Sequence, residues 1–258
     1  MNKVIHVTAT ADHYNLESAT YDVFNEKKAI VINKCIKKIL EQNHVQTVLD
    51  LTCGTGSQVF YLSQHGFDAQ GYDINAKMIE IAKNKALEKG LALKFSLGDM
   101  RTTRTAEKDA VVTVFNAVGH LTKQDFYRAI QNIYLNLKCG GLYIFDIFNL
   151  NYLLDADNIT KLTIDRLKKY DDMSVREIQY STINNQGVLA SYDIYHQQKG
   201  DEDPVVSHAF QTLQVYTSIT LKQMLEENGF KVLHQCDIGG GTFHETKTER
   251  ILTIAQKI

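Results

Sequence analysis

The chain has 258 residues, 44% of them hydrophobic and 22% charged, the balance of an ordinary globular protein with a full core. Lys and Arg total 28 against 30 for Asp and Glu, a formal net charge of −2 without a polybasic run, which argues against a nucleic-acid partner. Four scattered cysteines (Cys35, Cys53, Cys139, Cys236) read as reduced buried thiols, and the chain shows neither a leader peptide nor an apolar run of roughly 18 residues, so a soluble, cytoplasmic protein with no membrane contact is expected.

In chain order, residues 15–43 carry apolar positions at helical spacing (Val23, Phe24, Ala29, Ile30, Ile32, Ile36, Ile39, Leu40) with lysines between them, predicting an N-terminal helical cover of one or two helices over 1–45. Strands and helices then alternate: strand 46–51, helix 57–64, strand 68–72, helix 75–89, strand 91–96, strand 109–115, helix 123–137 and strand 141–147. Asn75 reads as a helix cap and Gly90 as a stop. Alternation of this kind means an α/β, Rossmann-like, doubly wound sheet.

After Phe148 the pattern becomes strand-like over 161–167, 174–183, 187–197 and 205–216, with turns at Asn184–Gly187 and Gly200–Pro204. This predicts an antiparallel β insertion at 151–217. Helix 220–228 and strands 230–236 and 249–257 return to the main sheet, giving seven strands with the last antiparallel and a core of 46–150 plus 218–258.

The chemistry-bearing stretch is Val48 to Gly56, an apolar strand carrying Asp50 and ending in Gly54-x-Gly56, followed by a second strand ending in Asp73. Such a turn and acid, one after each of two parallel strands, describe an adenosine pocket at the carboxyl edge of a sheet. A nicotinamide fingerprint needs a third glycine where Val59 stands, so a cofactor without a pyrophosphate fits better. Asp50 would repel phosphates yet can accept from an ammonium, which S-adenosylmethionine supplies.

On these residues the chain resembles the class I S-adenosylmethionine-dependent methyltransferases. Residues 48–56 look like the family's first motif, Tyr72-Asp73-Ile74 like its second-strand acid, Gly98-Asp99-Met100 like its adenine segment, and Phe115 to Leu121 like its fourth-strand motif. The resemblance implies S-adenosyl-L-methionine as cofactor, with S-adenosyl-L-homocysteine as product. Asp50 and Thr52 would stand beside the methionine portion, and Gly54 and Gly56 would allow close backbone approach. Asp73 would accept from the ribose hydroxyls, Ile74 would flank adenine, and Asp99 and Met100 would serve its edge. Phe115, Asn116 and Ala117 would face the methyl group. The absence of an Asn-Pro-Pro-Tyr type motif makes amide or nucleobase methylation less fitting, and the layout is similar to small-molecule, amino-sugar-type N-methyltransferases. Phe145 to Asn149 replaces their Trp- and Pro-containing segment, and the chain has no Trp.

A small-molecule acceptor methylated at an amine nitrogen is therefore expected, with the insertion as lid. Between 151 and 219 ten acids face six bases, which disfavours a polyanionic acceptor, although a solvated acidic surface accounts for the same count. A hydroxyl acceptor would need a base, for which His120 is the candidate; its alternative is to anchor the next helix. Tyr14 would close the transfer chamber and Tyr21 would touch the cofactor carboxylate, or both would pack a helix. Of Tyr192 and Tyr195, on opposite strand faces, one can line the acceptor pocket. Cys53 reads as packing and no metal is expected. O-methylation of a small metabolite, a non-catalytic S-adenosylmethionine-binding regulator and a nicotinamide-dependent reductase are the other classes weighed, and either a monomer or a homodimer fits.

Overall fold

The computed structural model describes residues 4–13, 15, 18, 21–155 and 162–258. Ahead of the first helix, residues 4–10 form an irregular strap, so the expected helical cover is one helix, α1 (Tyr21–Gln42). It buries Ala29, Ile32, Ile36 and Leu40, a stripe at i, i+3, i+7 and i+11, and each large aliphatic side chain there contributes about 1.5–3 kcal/mol. Ile30, on the other side of that stripe, is exposed.

The alternating elements follow: β1 (Thr47–Asp50), α2 (Ser57–Gln64), β2 (Asp68–Asp73), α3 (Ala76–Glu88), β3 (Lys94–Leu97), β4 (Lys108–Thr113), a 3-10 turn (Ala117–His120), α4 (Lys123–Asn136) and β5 (Leu137–Phe148). Asn75 caps α3 as expected, its side chain accepting from the Met78 amide at 3.0 Å. Met78, Ile79, Ala82 and Ala86 bury one face of that helix. A short α5 (Leu150–Leu154) and four long strands, β6 (Ile164–Tyr170), β7 (Met173–Ile183), β8 (Val188–Lys199) and β9 (Val205–Gln214), precede α6 (Ser218–Glu226), β10 (Phe230–Cys236) and β11 (Arg250–Lys257).

The main sheet has seven strands in the order β10-β11-β5-β4-β1-β2-β3, with β11 antiparallel to both neighbours. Chain order reverses between β1 and β4, which opens a crevice at their carboxyl ends, the usual ligand position in open α/β sheets. The second sheet is an antiparallel meander, β6-β7-β8-β9, and Gly187 (φ 79°) turns the hairpin between β7 and β8 as the Asn-Asn-Gln-Gly stretch predicted. Its inward face mixes polar residues (Glu177, Gln179, Ser181, Ser191, Asp193) with Val175, Leu189 and Leu213, whereas Tyr180, Tyr192 and Phe210 stand on the exposed face. Cys35, Cys53 and Cys236 are buried; Cys139 is exposed, contrary to expectation, because it lies at the surface end of β5.

Candidate active site

After β1 the backbone turns through two left-handed glycines, Gly54 (φ 52°) and Gly56 (φ 91°). A Cβ at Gly56 would lie 2.8 Å from both Phe60 and Phe95, so only glycine fits; at Gly54 the nearest atom is 3.9 Å away, leaving one side of the loop open. The Gly54 amide donates to Asp73 Oδ2 at 2.8 Å and the Asn75 amide donates to Asp73 Oδ1 at 2.9 Å. This carboxylate therefore ties the loops after β1 and β2 together and keeps one lone pair on each oxygen for a ligand. Burial raises its pKa, opposed by those amides.

Asp50 lies behind the loop. Its Oδ1 accepts from the Thr52 amide at 3.0 Å, and its Oδ2, fully buried, has no hydrogen-bond partner among the described residues. Burial pushes its pKa up to about 8, with the charge of Asp73 adding to the shift. Burial also raises the Cys53 thiol far above its ordinary range, making it inert packing.

Thr52, Gly54, Asp73, Ile74, Asp99, Met100, Phe115 and Tyr21 line a single cavity in the crevice. Its roof is the strap: Thr8, Ala9, Thr10, Ala11 and His13. The strap is tied to the sheet by Ala9 N donating to His120 O at 2.9 Å and Asn75 Nδ2 donating to Ala11 O at 2.9 Å. It is tied to the second sheet by His6 against Thr212 and His13 against Gln211. At the end of the cavity beyond β3, Arg101 grips Asp99 through its main-chain amide (2.8 Å) and its guanidinium (Nε, 3.0 Å).

Beyond β4, Phe115 (φ 64°) and Asn116 (φ 59°) both occupy the left-handed region, costly for residues with a Cβ and held only when the surroundings dictate it. The Phe115 amide donates to Asp146 Oδ1 at 2.6 Å, and Asp146 is itself fully buried against Arg250, whose Nε donates at 2.7 Å and whose guanidinium lies 5.5 Å over the Phe115 ring. This pair, 104 residues apart in sequence, fixes the strained turn.

A second cavity opens between that turn and the inner face of the second sheet, lined by Asn116, Glu177, Gln179, Ser191, Tyr195, Gln211 and Arg250 among others. Glu177, almost fully buried, pairs with Arg166 at 2.5 Å. Asn116 Oδ1 is buried and has no partner among the described residues. Tyr21, Phe115 and His120 line both cavities. His120 is buried and stacks loosely on His13, ring centroids 5.0 Å apart. Burial, with lesser repulsion from His13 and His6, drives its pKa down to about 3, which keeps it neutral at physiological pH and lowers its basicity.

Of the sequence-expected residues, Asp50 and Gly56 stand behind the first cavity wall, Asn116 faces the second cavity, and Tyr14 lies outside the described residues. Tyr195 faces inward and Tyr192 outward against Phe210. Sequence reasoning missed the strap, Arg101, and the Asp146–Arg250 pair. Only Arg101 left a trace, two residues after an expected site acid. Among the described residues no group of three His, Cys, Asp or Glu side chains could hold a metal ion, and no helix is long and apolar enough to cross a membrane.

A glycine turn and a second-strand acid at a sheet switch point, with Val59 where a dinucleotide site has a third glycine, are the features of a Rossmann-like fold with a ligand crevice. Residues 48–141 match the family model described as a methyltransferase domain. The chain is 30% identical over 128 residues to a glycine/sarcosine N-methyltransferase of Parasynechococcus marenigrum, covering 48% of this chain and 45% of that protein. It is 29% identical over 126 residues to a ubiquinone biosynthesis O-methyltransferase of Coxiella burnetii, covering 47% and 53%. The chain thus spans about half the length of the curated relatives it matches. A solved S-adenosylmethionine-dependent methyltransferase from Clostridium acetobutylicum superposes with a TM-score of 0.78 at 19% identity, covering 95% of this chain and 98% of that one. S-adenosylmethionine-bound CalS10, an amino pentose methyltransferase from Micromonospora echinaspora, gives 0.72 at 17%, covering 88% and 90%. Residues 48–141 are accordingly a methyltransferase domain, and the whole chain has the fold of the S-adenosylmethionine-dependent methyltransferases.

Proposed function

We propose that the protein transfers the methyl group of S-adenosylmethionine to an amine nitrogen of a small polar molecule. One observation carries this reading: a cavity with adenosine-type ligating groups meets a polar cavity at Tyr21, Phe115 and His120, the place where donor and acceptor would touch. The donor set fits this cofactor. A buried carboxylate oxygen on Asp50, just behind the cavity wall, lacks a partner among the described residues; a nearby ammonium would favour its ionised form, whereas a pyrophosphate would not.

In this reading Asp73 accepts from the ribose hydroxyls, Ile74 and Met100 sandwich the adenine, Asp99 accepts from its amino group, and Thr52 and Tyr21 contact the methionine end. Gly54 and Gly56 let the backbone come close. When bound, S-adenosylmethionine supplies an electrophilic methyl carbon, and the chain's work is alignment. Asn116 Oδ1 accepts from the acceptor's N–H and so aims its lone pair. The second sheet, through Gln179, Ser191, Tyr195 and Gln211, closes over a polar molecule as the lid and excludes water.

Amine is preferred to hydroxyl because a neutral amine needs no base to attack, and burial weakens the basicity of the histidine at the junction. The names of the glycine/sarcosine and amino pentose enzymes agree with nitrogen; that of the ubiquinone enzyme is the contrary case. Incubation with S-adenosylmethionine and paired amine- and hydroxyl-bearing metabolites, read by mass spectrometry, tests it. Methylation of amines alone is expected, and methylation of hydroxyls alone overturns the choice of nitrogen.

A further inference from the structure

The roof of the cofactor cavity is fastened by the same side chain that orients its floor. Arg101 makes a fork: Nε and Nη2 donate to Asp99, while Nη1 donates to Asp125 Oδ2 at 3.1 Å. That same Asp125 oxygen accepts from the hydroxyl of Thr8, in the strap, at 2.5 Å. The Thr8 oxygen accepts in turn from the Thr122 amide at 3.0 Å, at the cap of α4. Asp125 also pairs with Arg128 at 3.0 Å, and it is held below the usual carboxylate range, first by the Thr8 hydroxyl. Asp99, Arg101 and Asp125 are half-buried, so the chain of contacts is only partly screened by solvent.

We infer that Arg101 is a positioning residue that couples adenine recognition to closure of the 4–13 strap, through Asp99 on one side and Asp125–Thr8 on the other. This deepens the proposed function and rests on its cofactor. The strap walls one side of the cavity at Thr8, Ala9, Thr10 and Ala11, so lifting the strap opens that side. Lifting breaks the Thr8–Asp125 bond and leaves the Asp125 oxygen that holds the guanidinium without its hydroxyl partner. A ligand amino group on Asp99 fixes the carboxylate and with it the guanidinium, and so favours the fastened strap. By linkage, a fastened strap must favour the ligand by the same factor. Lysine cannot replace this arginine, because one ammonium lacks the planar fork that reaches two carboxylates.

The test uses the full chain with S-adenosylhomocysteine as probe, and reads hydrogen exchange of residues 4–13 together with probe dissociation rates. In the wild type the probe should slow strap exchange. Thr8→Val and Arg101→Lys should each speed strap exchange without ligand, and each should speed dissociation about tenfold, the loss expected for one hydrogen bond to a charged partner. Thr8→Ser, which keeps the hydroxyl, should restore the wild-type rates. The Thr8→Val/Arg101→Lys double variant should dissociate little faster than either single one, because both cut the same connection. Probe binding in the wild type with multiplicative single effects, or with an unprotected strap, overturns the coupling and leaves the cofactor reading intact. No binding to the folded wild type overturns both. Unchanged strap exchange in ligand-free Arg101→Lys overturns the coupling without any ligand.

Discussion

Replacing Arg250 by methionine should destabilise the protein by about 3–5 kcal/mol, the cost of leaving one member of a buried ion pair without the other. Asp146 is fully buried and Arg250 nearly so. Removing the guanidinium takes away both of its donors to Asp146 and leaves the Phe115 amide at 2.6 Å as the remaining donor described. The methionine stem keeps most of the side-chain volume, so the loss reports charge and hydrogen bonding more than cavity. A solvent-facing pair such as Lys37–Glu41 (2.8 Å) gives the contrast: Lys37→Met should leave the unfolding midpoint nearly unchanged. The Arg250→Met cost is a substantial part of a total stability of about 5–15 kcal/mol. Urea unfolding of the two variants measures both, and Asp146→Asn combined with Arg250→Met should recover much of the loss. Because the pair also clamps the left-handed Phe115–Asn116 turn, Arg250→Met should weaken S-adenosylhomocysteine binding as well. A deficit below about 1 kcal/mol with unchanged ligand affinity would refute the argument that this pair holds the site.

Asp73→Ala removes two amide acceptors and the expected ribose contacts, and should lower S-adenosylhomocysteine affinity at least about 100-fold by calorimetry. The raised pKa of Asp50 means its contribution to ligand-free stability falls as pH rises from about 4 to about 8; Asp50→Asn should therefore raise the ligand-free melting temperature more at pH 8 than at pH 5. His120 has the opposite sign of consequence: its folded-state pKa, lowered to about 3, contributes stability above pH 6.5 that is lost as pH falls toward 3, so His120→Gln should flatten that acid limb in thermal melts. Gly98→Ala puts a Cβ 2.5 Å from Thr103 Oγ1 and 2.7 Å from Tyr72, an overpacking expected to cost about 1–3 kcal/mol in urea unfolding.

The α/β framework was readable wherever periodicity and punctuation coincided. Helix α2 and strand β10 occupy the expected spans, and Asn75 and Gly229 end their elements through the cap and the left-handed turn their types favour. Much of the cavity lining was readable because Thr52, Gly54, Asp73 and Phe115 sit just at or after strand ends, where local motif and position in the sheet are one fact. The strap was invisible: Thr8 to His13 carries no period or motif, and its order comes from bonds to Asn75, Asp125 and Gln211, all far along the chain. The Asp146–Arg250 pair was hidden for the same reason. His120 follows the fourth strand as expected, but its burial, which lowers its basicity, is a tertiary property that no spacing reports.

Calorimetric titration of the purified, folded protein with S-adenosylhomocysteine, with NADH as the parallel ligand, tests the central claim most directly. Micromolar binding of the first and none of the second is the expected result. Binding of neither, or of NADH alone, would contradict the assignment of the crevice between β1 and β4 to S-adenosylmethionine.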